Sequence, residues 1–178
     1  LFFQIVYNYT NLKIKIMALI IPLKDKTPVI GKDCFLAENA AIIGDVTLGD
    51  GCSIWFSAVL RGDVHYIKVG NNVNIQDGAI VHCTYKKSPT NIGNNVSIAH
   101  GAIIHGCTIN DYVLIGMNAV VLDDAVIESN SIIAAGAVVT KGTVVPSGTV
   151  WAGSPAKKIK DISPELLKGE VERIANNY

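Results

Sequence analysis

Large aliphatic residues recur along this chain with a spacing of six. They fall at Ile30, Leu36, Ile42, Leu48, Ile54 and Leu60, and resume after a break as Val69, Ile75 and Val81. A second break precedes Ile92, Ile98 and Ile104; one position is then lost, and the series runs Ile109, Ile115, Val121, Ile127, Ile133, Val139, Val145. Four positions beyond most rungs stands a small residue, among them Ala40, Cys52, Ala58, Ala79, Ala102, Ala119 and Ala137. A helix needs spacings of three and four, and a half-buried strand alternates over longer runs between turns. A bend every six residues instead gives short strands wound into a three-sided solenoid with about 18 residues per coil. The aliphatic of each hexad points inward and the small residue sits near the corner. The series supports about six coils, and at ~4.8 Å per stacked strand a prism roughly 30 Å tall.

Outside the series the chain is read as a 1–28 N-terminal segment, with 1–16 an upstream extension before Met17, a 29–150 solenoid, and a 151–178 exit turn and helix. Ser163 followed by Pro164 predicts a helix start, with serine as cap and proline in the first turn. Leu167, Val171 and Ile174 form one apolar face of that helix.

Composition narrows the possible partners. The chain has 178 residues, 15 Lys+Arg against 15 Asp+Glu, and 49% hydrophobic residues. Zero net charge argues against a nucleic-acid footprint, and no apolar run reaches the ~20 residues of a membrane span. The basic cluster Lys157, Lys158 and Lys160 reads as a solvated tail. Four cysteines without a C-x-x-C pair fit a reducing cytoplasm. Cys34 and Cys52, one coil apart, read as stacked core fillers.

The hexads also place the histidines. Leu60, Val81 and Ile104 belong to one face in successive coils, so Arg61, His82 and His105 project outward in one column. Imidazoles stacked at ~4.8 Å can share a metal, because zinc–nitrogen bonds of about 2.0–2.1 Å put ligand nitrogens ~3.3 Å apart. Ile75 and Ile98 share the preceding face, which stacks Asp77 with His100 on another side of the prism. A threefold axis would bring the His100 side of one subunit against the His82/His105 side of the next. The expectation is a metal bridging two subunits of a homotrimer, with Asp77 of one approaching Arg61 of its neighbour. His65 and Tyr85 read as isolated loop residues.

Arg61-Gly-Asp63, Asn74-Ile-Gln-Asp77, His82 and the run His100-Gly-Ala-Ile-Ile-His105-Gly-Cys resemble the gamma-class carbonic anhydrase family, hexapeptide-repeat proteins with a left-handed parallel β-helix. The resemblance spans nearly all of 20–165. It implies a left-handed hand for this solenoid and reversible hydration of CO2 to bicarbonate by a metal-bound hydroxide. It also implies His82 and His105 as metal ligands from one subunit and His100 from the next. Gln76 would lie beside the bound solvent, Arg61 and Asp77 would pair between subunits, and Asp63 would join the interface network. The metal would be zinc, with iron(II) or cobalt(II) suited to the same imidazoles. The chain departs from the family's proton-shuttling glutamates: Val64 follows Asp63, and the loop from Cys83 to Thr90 holds no acid. Slow turnover is the expectation, and two rivals stay open. One is an acyl-CoA-dependent acyltransferase with a histidine as general base; the other is a metal-stabilised trimeric scaffold without catalysis.

Overall fold

The computed structural model describes residues 18–174, so the expected extension 1–16 lies outside the described residues. The hexads form a parallel β-solenoid of about seven coils followed by one short helix. On the first face the column runs from Leu19–Ile21 through the opening halves of Ala41–Leu48 and Val59–Val69. It continues through Ile80–His82, Ile103–His105 and Val120–Val121 to Val138–Val139. The second face runs from Val29–Ile30 to Val144–Val145, and the third from Phe35–Leu36 to Thr149–Ala152. The sequence ladder is one coil short because Ile20 and Trp151 also occupy rung positions, paired with Ile42 and Ile133. A nine-residue interval hides the first of them, and the second is aromatic.

The rungs fill the prism. Ile42, Ile54, Leu60, Ile75, Ile98, Ile104, Ile115 and Ile133 are fully buried, as are the corner alanines. Each such side chain contributes about 1.5–3 kcal/mol by leaving water. At the corner between the second and third faces, short amides and carboxylates tie coil to coil. The Oδ1 atoms of Asp50, Asn71, Asn94 and Asp111 accept from the backbone N–H of Lys32, Asp50, Asn71 and Asn94 at 2.7–2.8 Å. Asn72, Asn95 and Asn130 turn the same corner at φ of 52–58°, a left-handed conformation that asparagine tolerates better than most residues. This is why Gly-Asn-Asn punctuates the series.

Every irregularity of the ladder falls at one corner, between the first and second faces. Coils one, three and four carry extra residues there and coil five is one residue short. Val59–Val69 runs through the corner as a single strand, and the fourth coil throws out the loop 83–89, pinned by a Thr84–Ser88 bridge. Asp63, His82, Thr84 and Asp123 come together at this corner.

Beyond Thr149–Ala152 the chain reverses, and Lys157–Asp161 pairs antiparallel as an exposed edge strand. The lysine cluster expected in a solvated tail therefore sits on a strand. The Ser163 hydroxyl then caps the helix by accepting from Leu166 N–H. After Pro164–Leu166 the helix widens over Leu167–Glu172 and brings Val171 onto Ile132 and Val150. Among the described residues no helix is long and apolar enough to cross a membrane.

Candidate metal centre

His82 and His105 end first-face strands of adjacent coils and are direct partners in register. Each hexad puts residue n inward and n+1 outward, so the burial of Val81 and Ile104 orients both imidazoles. His82 Nδ1 faces His105 Nε2 at 3.1 Å. Behind each ring stands a carboxylate: Asp63 Oδ1 lies 2.9 Å from His82 Nε2, and Asp123 Oδ1 lies 2.7 Å from His105 Nδ1. Arg61 donates to the second oxygen of Asp63, and the Thr84 hydroxyl donates to Asp123 Oδ2 at 2.8 Å. The result is a continuous chain, Arg61–Asp63–His82–His105–Asp123–Thr84.

Both carboxylates are acceptors. Desolvation opposes ionisation of Asp63, but hydrogen bonds from His82 and Arg61 and the Arg61 charge hold its carboxyl below the ordinary 3.8. Desolvation likewise opposes ionisation of Asp123, yet His105, Thr84 and Lys141 hold it low. An ionised carboxylate takes the outer N–H of a neutral imidazole, leaving the inner nitrogen with a bare lone pair. Two such lone pairs at 3.1 Å repel each other unless positive charge lies between them. The donor set and its spacing, close to the ~3.3 Å expected of neighbouring zinc ligands, fit a metal ion.

The third histidine is elsewhere. His100 sits at the turn after Ser97–Ile98, with Nδ1 2.9 Å from Asp77 Oδ2 and both groups about half exposed. No three potential ligands come together among the described residues of one chain. Buried Gln76 shares the His100 side: its Nε2 donates to Asn74 Oδ1 at 3.0 Å, and Asn74 Nδ2 donates to Ser97 Oγ at 2.8 Å. Gln76 and His100 line a cavity of about 340 Å³ with Met117, Glu170 and Arg173, under the C-terminal helix. Arg61 and Asp77 do not meet within the chain, each being engaged by a nearer partner. His65 Nδ1 accepts from the Tyr66 N–H, and Tyr85 is exposed in the loop.

Sequence reasoning missed Asp123 and Thr84. The 17-residue fifth coil, which pairs Ile104 with Val121, puts Leu122 rather than Asp123 level with His105. The thiols bond backbone carbonyls rather than the side chains of the site. Cys52 Sγ donates to Gly70 O and Cys83 Sγ to His65 O, and burial raises their pKa to about 11, that of Cys107 to about 12.

A parallel solenoid of six-residue sides, bearing outward imidazoles backed by carboxylates, defines a hexapeptide-repeat protein. The profile of the "Bacterial transferase hexapeptide (six repeats)" family matches residues 27–62 and 106–141. The chain is 42% identical over 163 residues to a carbonic anhydrase of Geobacillus kaustophilus, covering 90% of this chain and 87% of that one. It is 45% identical over 159 residues to the mitochondrial gamma carbonic anhydrase 2 of Arabidopsis thaliana, covering 86% of this chain but 57% of the plant protein. It thus spans under three-fifths of that relative's length. A hexapeptide transferase family protein of Anaplasma phagocytophilum superposes with a TM-score of 0.86 at 41% identity, over 90% of this chain and 93% of that one. The chain belongs to the gamma carbonic anhydrase family of hexapeptide-repeat proteins.

Proposed function

We propose that the chain forms a homotrimer in which His82 and His105 of one subunit and His100 of the next hold one metal ion, and that the trimer catalyses reversible hydration of CO2 to bicarbonate. The observation that carries this reading is the 3.1 Å approach of two imidazole nitrogens whose outer nitrogens rest on carboxylates. Ile80 and Ile103, exposed beside the histidines, offer an apolar face for the neighbour. We assign zinc, with iron(II) or cobalt(II) suited to the same donors. Such an ion, when bound, acidifies water toward neutral pH.

The residues of the chain divide the remaining work. Asp63 holds the His82 ring, and Arg61 holds Asp63. Gln76, its amide orientation set by Asn74, keeps an oxygen to accept a hydrogen bond from solvent beside His100. At the interface Arg61 and Asp77 share or exchange their in-chain partners to pair between subunits. The 83–89 loop carries no acid to take a proton away, so turnover depends on external buffer. Four free thiols suit a reducing compartment, which we take to be the cytoplasm.

A second reading follows from the Anaplasma relative, whose name places it among transferases. Acyl transfer from a CoA thioester needs a histidine free to act as general base. In the His82–His105 pair the two inner nitrogens face each other at 3.1 Å rather than an acceptor group in open solvent, an arrangement that suits a shared ion and favours hydration. Stopped-flow CO2 hydration by anaerobically purified protein, with metal analysis, tests the proposal. The expected result is one metal per subunit and a rate that climbs with buffer concentration. A metal-loaded trimer inert at every buffer concentration would leave only a scaffold, and acetyl-CoA consumption after chelation would favour the transferase.

A further inference from the structure

The fifth coil is one residue short at the corner where the fourth coil carries its loop, and these two facts are linked. At the shortened corner Gly106 has φ +57°, and a Cβ there would fall 2.3 Å from Asp123 Oδ1 and 2.9 Å from Ser88 Cβ. Only a bare backbone lets the sixth coil and the loop close over it from either side. Asp123 thereby reaches across Gly106 to His105, and the loop reaches the sixth coil. Thr84 Oγ1 donates to Asp123 Oδ2 at 2.8 Å and Ser88 Oγ to Asp124 Oδ1 at 2.6 Å, contacts 39 and 36 residues apart in sequence. The Asp124 N–H donates to Gly106 O at 2.7 Å, which locks the sixth coil over the gap.

We propose that Asp123 is the positioning residue for His105, held in place by Thr84 of the 83–89 loop through the opening that Gly106 leaves. The inference rests on the reading of His105 as a metal ligand. A carboxylate that accepts from Nδ1–H pins the ring and its tautomer, so that Nε2 keeps a lone pair aimed at the shared site. Without it the ring can turn over or carry its proton on Nε2, and either change removes the donor. Thr84 occupies the second carboxylate oxygen and so prevents Asp123 from swinging away toward Lys141.

Cobalt(II) affinity of the full-length protein, measured by chelator competition, and the ¹⁵N shifts of His105 without metal test this. Asp123→Asn can offer an amide N–H to Nδ1, so it should shift the His105 proton to Nε2 in the metal-free protein. It should also weaken cobalt binding by roughly 10- to 100-fold, the usual effect of removing an outer partner of a ligand. Thr84→Val should weaken binding less, and Thr84→Ser should restore it. Wild-type affinity and tautomer in folded Asp123→Asn would overturn the proposal, as would wild-type affinity in both Asp123→Asn and Thr84→Val. Should His105→Ala bind cobalt like wild type, the metal reading itself falls, whereas its loss of binding beside an unaffected Asp123→Asn sinks only the positioning role.

Discussion

His82 turns its Nδ1 toward Nε2 of His105 at 3.1 Å, while the other nitrogen of each ring rests on the carboxylate of Asp63 or Asp123. In the proposed site these are two of three ligands, and His100, on another side of the prism, cannot join them within the chain. Subunits carrying His100→Ala, or subunits carrying His105→Ala, should each hold no metal when purified alone. Every trimer containing both kinds should recover one of its three sites, about a third of the metal, since only one junction in such a ring joins an intact half from each kind of subunit. Metal analysis of co-expressed, doubly tagged trimers reads this out. Complete absence of metal from the mixed trimers would refute the shared site.

Ile98 tests the core. It is fully buried between Ile75 and Ile115 of the neighbouring coils. Ile98→Ala should cost about 2–5 kcal/mol in urea unfolding, the range for deleting a buried aliphatic that neighbours cannot replace. A loss below about 1 kcal/mol would mean that the coils collapse to fill the gap, against the rigidity expected of close-packed rungs.

Acid should destabilise the protein through Asp63 and Asp123. Both carboxyls are held below the ordinary 3.8 in the folded chain. A group of this kind stabilises the fold at pH above its unfolded pKa, and the contribution disappears as pH falls through the lower, folded value. Urea midpoints of metal-free protein should therefore be insensitive to these groups down to about pH 4 and fall below it. Asp63→Asn should start lower and fall less steeply. A parallel acid profile in the variant would show that Asp63 carries none of the dependence.

Thiol chemistry should separate one cysteine from the other three. Cys52 and Cys83 are raised to about 11 and Cys107 to about 12 by burial, so at pH 8 almost no thiolate forms at any of them. Half-buried Cys34 stands in the first described coil. A disulfide reagent should label at most one thiol in the folded protein and all four after unfolding. Rapid labelling of two or more would contradict the burial.

The fold was legible because one physical constraint, a single aliphatic per prism side, is written into the order of residues at every sixth position. The same arithmetic aligned His82 with His105 and Asp77 with His100. It undercounted the coils where the rung was Trp151, and where Ile20 lay before an irregular turn. At the site it paired Arg61 with a neighbour's Asp77 and overlooked that Asp63, two residues on along the same strand, reaches the guanidinium first. Asp123 escaped because its partnership depends on the missing residue beside Gly106, and the ladder registers that deletion only as a broken spacing. The widened helical turn over Leu167–Glu172 left no mark in the apolar face, which reads alike for either winding.

The reversed strand Lys157–Asp161 lies across the last coil on its third face, with Lys157, Lys158 and Lys160 along it. An open solenoid terminus is otherwise a ready template for the next molecule, since its unpaired amides and carbonyls match those of any other coil. The strand covers part of that end and presents Lys157, Lys158 and Lys160 at the new edge, charged side chains of the kind that discourage a further strand from pairing there. Fibre growth along the prism axis is discouraged there, and molecules are left to associate through their flanks.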